Sequence, residues 1–146
     1  MSSVPAEPFR VDPADLPAWL AGTWSVDRDI NDGQGAFTGT ATFEPQPGGT
    51  VRWAEEGSLQ LGDFTGPATR VLFLHPADPW EVRFDDGRLF HPLDLSGGGF
   101  AAEHPCGPDL YRGTYDPRSD DELLVHWHVT GPGREDDIVS RYRRVG

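Results

Sequence analysis

The chain contains no lysine. All twelve of its basic residues are arginine, against twenty-four acidic ones, and its formal net charge is −12. Without lysine, Schiff-base catalysis and a P-loop lysine are excluded. A large negative charge with no basic stripe argues against nucleic acid and anionic membranes as partners. Cysteine is nearly as scarce, since Cys106 stands alone and has no internal partner for a disulfide. No stretch approaches the roughly 20 apolar residues of a membrane-spanning helix. The N-terminal segment lacks the basic and apolar regions of a secretory signal, so the cytoplasm is the expected compartment. Serine nucleophile chemistry of the Gly-x-Ser-x-Gly type is also missing. The run Gly97-Gly98-Gly99 has no following helix to supply an anion site and reads as a turn.

What is present is a lean hydrophobic content of 36%, an aromatic content of 11%, and eighteen glycines and fourteen prolines placed between short apolar runs. At 146 residues this fits a single domain with one core. Residues 1–11 read as a flexible tail and residues 12–146 as the domain. Asp12-Pro13 supplies a cap candidate and a first-turn proline, and Leu16, Trp19 and Leu20 follow at helical spacing until Gly22 stops the helix. From Thr23 the apolar period changes to two. Trp24 and Val26, then Phe37, Ala41 and Phe43, then Val51 and Trp53, then Leu123, Val125 and Trp127 alternate with polar neighbours. Asp86-Gly87 marks a hairpin. About eight to ten short strands with turns between them predict an all-β sandwich or barrel.

Leu20-Ala21-Gly22-Thr23-Trp24 and the arginine-bearing end, Ile138 to Arg144, together resemble the opening and closing strands of the calycins, the lipocalins and fatty-acid-binding proteins. The resemblance implies a closed antiparallel barrel, a short N-terminal helix and an internal ligand cavity. Fatty-acid-binding proteins carry Arg-x-Tyr on the last strand to hold a carboxylate. Here the order is Ser140-Arg141-Tyr142-Arg143, so Arg141 and Tyr142 take opposite faces and the site is expected away from that strand. A more specific similarity is to an actinobacterial family of unknown function. It rests on residues 22–28, Asp86-Gly87-Arg88-Leu89-Phe90-His91-Pro92-Leu93-Asp94, and His104-Pro105-Cys106-Gly107-Pro108-Asp109-Leu110-Tyr111.

Two groups of residues carry the candidate chemistry. In the first, Glu55 shares a face with Val51, Trp53 and Leu59. If that face is internal, Glu55 needs a cation, and Arg70 on a neighbouring run is the candidate. If it is external, Glu55 is solvated beside Glu56. The second group is the segment 91–111, with His91, His104, Cys106, Asp109 and Tyr111. A histidine oriented by Asp109, with Tyr111 as donor, would move protons on a bound substrate. The alternative for Asp109 is a turn cap, and for Tyr111 a place in the barrel wall. Cys106, flanked by prolines, is expected to be a small buried residue. His126 and His128 are expected to face water on either side of an internal Trp127. No metal and no cofactor is expected.

The expected function is therefore binding of a small molecule in a cavity lined by Trp53, Glu55, Arg70, His91, His104, Tyr111 and Trp127. The alternative is a small barrel enzyme of the isomerase, cyclase or dehydratase type, with His104, Asp109 and Tyr111 as its acid/base set.

Overall fold

The computed structural model describes residues 7–145. A 3-10 turn over Pro13–Asp15 runs into α1 (Leu16–Leu20). Ten strands follow: β1 (Gly22–Ile30), β2 (Gly35–Pro45), β3 (Val51–Leu61), β4 (Phe64–His75), β5 (Trp80–Phe84), β6 (Leu89–Leu93), β7 (Phe100–Cys106), β8 (Asp109–Ser119), β9 (Glu122–Gly131) and β10 (Arg134–Arg144). Of the expected tail, residues 1–6 lie outside the described residues. Val11 is buried and its N–H donates to the Leu95 carbonyl at 3.0 Å. The cap candidate Asp12 makes no side-chain bond to the turn.

The strands form one antiparallel meander in the order β6-β5-β4-β3-β2-β1-β10-β9-β8-β7, so the first and last strands pair inside the sheet, near its centre. The sheet curls into a nearly closed barrel, one of the two all-β forms the alternating apolar pattern allowed and the one the calycin resemblance implied. Among the described residues no ladder joins β6 to β7. Both seam strands carry a proline, Pro92 and Pro105, which removes a ladder donor and suits an edge. Aromatic packing closes the seam instead. The His104 ring lies 5.5 Å from Phe84 and 5.2 Å from Phe90, in edge-on contacts. Gly39 and Gly57 face each other across β2 and β3, where a Cβ on Gly39 would come within 2.1 Å of the Glu56 carbonyl oxygen. Glycine is required for that approach.

An up-and-down meander has two ends. The end carrying α1 is filled by Leu16, Trp19, Trp24, Phe43, Leu72, Leu74, Val82 and Leu93. The Trp24 indole donates to the Leu20 carbonyl at 2.8 Å, tying the helix to β1. Arg144 locks this end. Its guanidinium lies 4.3 Å over the Trp24 ring and donates to the carbonyls of Ala21 (3.0 Å), Asp120 (2.9 Å) and Trp19. The motif that opens the chain and the arginine that closes it are thus a structural clasp at the plugged end.

Arg144→Met is expected to lower stability by about 2 kcal/mol, the scale of one partly buried cation–π contact plus lost charge-assisted hydrogen bonds. That corresponds to a fall in Tm of about 5–8 °C, measured by thermal unfolding.

Candidate functional site

The opposite end is hollow. A cavity of about 300 Å³ lies between β1, β2, β3, β4, β6, β8, β9 and β10, walled by Phe37, Leu59, Phe90, Trp127 and Ile138. Phe90 stacks on Trp127 at 5.0 Å, and Trp127 lies flat on Gly113, where a Cβ would come within 2.6 Å of the indole. β5 and β6 are only five residues long against twelve for β4, so the wall is low beside the first half of β4. There Arg70, Phe90 and Tyr111 line both the cavity and the groove outside it.

One wall is polar and centres on Glu55, which is 2% exposed. Its Oε1 accepts from Arg28 Nη2 at 2.9 Å and faces Arg70 Nη2 at 3.2 Å. Its Oε2 accepts from the Trp53 indole at 3.0 Å and from the Tyr142 hydroxyl. Arg28 also donates to Ser140 Oγ at 2.7 Å and to Tyr142 Oη at 2.9 Å. Burial by itself pushes the Glu55 carboxyl up. The neighbouring Arg70 and Arg28 charges and the hydrogen bonds from Tyr142 and Arg28 outweigh it, so Glu55 is held below its ordinary value. Burial and the nearby Glu55 charge push the Tyr142 phenol well up, so it stays neutral.

His91 stands behind this cavity rather than on its wall. It is fully buried. Nδ1 lies 2.6 Å from the Pro92 carbonyl, which can only accept, so Nδ1 carries the proton. Nε2 then accepts from the Tyr115 hydroxyl at 3.0 Å. Burial lowers the His91 pKa from 6.5 to about 4, opposed by the bond to Pro92, so the ring is neutral at pH 7. Tyr115, on the cavity wall, has its proton committed to His91.

The structure sorts the sequence candidates as follows. Trp53, Glu55, Arg70, Tyr111 and Trp127 come together around one cavity. His91 supports it from behind, and His104 sits in the seam among Phe84, Phe90 and Tyr111. Asp109 does not meet His104. Their register places Cys106 opposite Asp109 and Tyr111 opposite His104, and both acid/base partners turn to Arg134 instead: Asp109 at 3.8 Å, Tyr111 Oη at 2.9 Å. Cys106 is exposed rather than buried, because it ends β7 at the tight turn Gly107-Pro108. His126 and His128 lie on the outer face near Asp137, with Trp127 inside, as the alternation predicted.

Three members of the polar wall were missed from sequence: Arg28, Ser140 and Tyr142. The signal for Arg28 was there, since it shares the inward face of β1 with Trp24, Val26 and Ile30. The expectation that the site would avoid the last strand is corrected by Ser140 and Tyr142. The β1–β10 register sets Arg28 directly opposite Ser140, so the guanidinium reaches this wall from β1.

A family of unknown function, DUF6314, matches residues 20–144. The chain belongs to that family. A comparison with curated proteins found no match. Among solved structures, the S-type phycobiliprotein lyase CPES from Guillardia theta is similar with a TM-score of 0.67 at 12% identity, over 94% of each chain. The designed barrel EF1p2_mFAP2b, bound to DFHBI, gives 0.55 at 14% identity, over 92% of this chain and 100% of that one. A de novo designed fluorescence-activating β-barrel gives 0.54 at 18% identity, over 90% of this chain and 98% of that one. At these identities the likeness establishes the fold that the DUF6314 chain shares with them.

Glu55→Gln leaves two guanidiniums facing a neutral amide. It is expected to cost about 3 kcal/mol, below the full figure for a broken buried pair because Arg70 has access to solvent. A lowered folded-state pKa gives stability that is present above pH 4.5 and lost as pH falls below it, and denaturant titrations of this variant should lack that loss. His91 acts earlier. The unfolded chain takes up its proton near pH 6.5 and the folded one only near about 4, so stability declines across that window with acidification. In His91→Gln the decline between these values should flatten.

Proposed function

We propose that this DUF6314 protein binds a small molecule in the hollow end of its barrel. The observation that carries the reading is the cavity itself. It has about 300 Å³ of space, mostly aromatic and aliphatic walls, and one polar wall held rigid by the Glu55 network. Ligand sites combine apolar enclosure with a few fixed polar groups, and this volume lies at the small end of their range. The ligand-binding residues in this reading are Arg28, Trp53, Glu55, Arg70, Tyr111, Trp127 and Tyr142, with His91 and His104 as supports. Two of the similar barrels support it by their descriptions, one bound to DFHBI and one a phycobiliprotein lyase. The unpaired, exposed Cys106 suits a reducing compartment, and we place the protein in the cytoplasm.

Binding is favoured over turnover because the groups best placed for acid/base work are already committed. Tyr115 donates to His91, Tyr142 to Glu55, and Asp109 faces Arg134.

Ala68 borders the cavity from β4 and packs against the core. Native mass spectrometry of the purified protein should show a bound small molecule, released on denaturation. Ala68→Phe fills the space and should lose that mass while keeping its β-sheet circular dichroism. A wild-type protein that carries no ligand and takes up none from a panel of small aromatic compounds contradicts the reading.

A further inference from the structure

The polar wall of the cavity carries one more positive charge than it neutralises. Two guanidiniums, Arg28 and Arg70, face one carboxylate, and the neighbouring phenol of Tyr142 is neutral. A carboxylate has about four lone-pair sites. Those of Glu55 are all occupied, by Arg28, Arg70, Trp53 and Tyr142. Arg28 is largely spent as well, on Glu55, Ser140 and Tyr142. Arg70 is not. Only its Nη2 meets Glu55, and among the described residues Nε and Nη1 have no hydrogen-bond partner. Its guanidinium lies 5.4 Å over the Trp53 ring, which fixes one face and leaves Nε and Nη1 free.

Arg70 is also 40% exposed, and it lines both the cavity and the groove outside it. Its exposed surface faces the cavity and the low stretch of wall beside it. That makes its unused donors reachable by a ligand. The net charge of −12 does not cancel this local charge. Fields from exposed carboxylates are screened within about 8–10 Å at physiological salt, whereas a contact pair inside a cavity is screened much less.

Resting on the cavity-binding reading, we propose that the ligand is a flat aromatic monoanion whose charged acceptor group pairs with the free donors of Arg70. The remainder of the ligand lies against Trp127 and Phe90. Guanidinium suits an oxyanion because it is permanently charged and its N–H donors make charge-assisted hydrogen bonds.

A matched pair of probes tests charge at constant shape: 2-naphthoate and 2-naphthamide, titrated by calorimetry against the wild-type protein and Arg70→Met. The wild type should bind the naphthoate at least tenfold more tightly than the amide. In Arg70→Met the preference for naphthoate over the amide should vanish, while an unchanged β-sheet circular dichroism and thermal transition report that the barrel is intact. Equal affinity of the two probes for the wild type overturns the anion inference and leaves the cavity reading standing. Binding of neither probe, to a wild type with a normal thermal transition, overturns both. Should Arg70→Met fail to fold, the wild-type comparison decides alone.

Discussion

Burying one carboxylate in an aromatic interior sets the terms for the rest of this barrel. An unpaired Glu55 would cost several kcal/mol in desolvation, so the fold must bring donors to it. It does so from four strands: Arg28 on β1, Trp53 on β3, Arg70 on β4 and Tyr142 on β10. These strands are neighbours or near neighbours in the meander, and curling the sheet aims their side chains at one point. The network leaves no buried polar side-chain atom without a partner among the described residues. A polar cluster whose buried atoms are all partnered is rigid, which is what a wall facing an open cavity requires.

The two ends of the barrel divide the work of stability and function. The α1 end is packed with tryptophan, phenylalanine and leucine and is fastened by Arg144 over Trp24. That packing lets the other end remain hollow, because close packing there is not needed to hold the strands together. The seam between β6 and β7 follows the same division. Proline on each side forbids a regular ladder, and aromatic contacts through His104 and Phe90 substitute for it. His104, attractive from sequence as a proton carrier, is here a seam residue. The likeness to designed barrels and to a phycobiliprotein lyase agrees with this architecture, but shared fold does not assign activity.

Much of the architecture was legible because barrel strands alternate strictly. The inward positions of Trp24, Phe43, Trp53, Val125 and Trp127 follow from a period of two, and with them the outward positions of His126 and His128. The pairing of Glu55 with Arg70 was legible as a conditional: an internal carboxylate needs a cation, and β4 was the next run of sequence. Other features were not. Nothing local distinguishes a histidine that lines a cavity from one that supports a tyrosine behind it, and His91 turned out to be the second kind. The acid/base grouping of His104, Asp109 and Tyr111 rested on nearness in sequence. A hairpin register decides such contacts, and this one sends Asp109 and Tyr111 to Arg134.

The sequence by itself determined the all-β class, because an apolar period of two over eight to ten short runs is the pattern of strands with one face inward. It also excluded lysine chemistry and an internal disulfide, since those need residues that are absent. Only the tertiary structure decided where the barrel is filled and where it is hollow, and which groups meet across the hollow. Arg28 and Ser140 are 112 positions apart and become partners solely through the β1–β10 register. The spare charge of Arg70 emerges only once every lone pair of Glu55 has been assigned, and that assignment is a property of three-dimensional geometry.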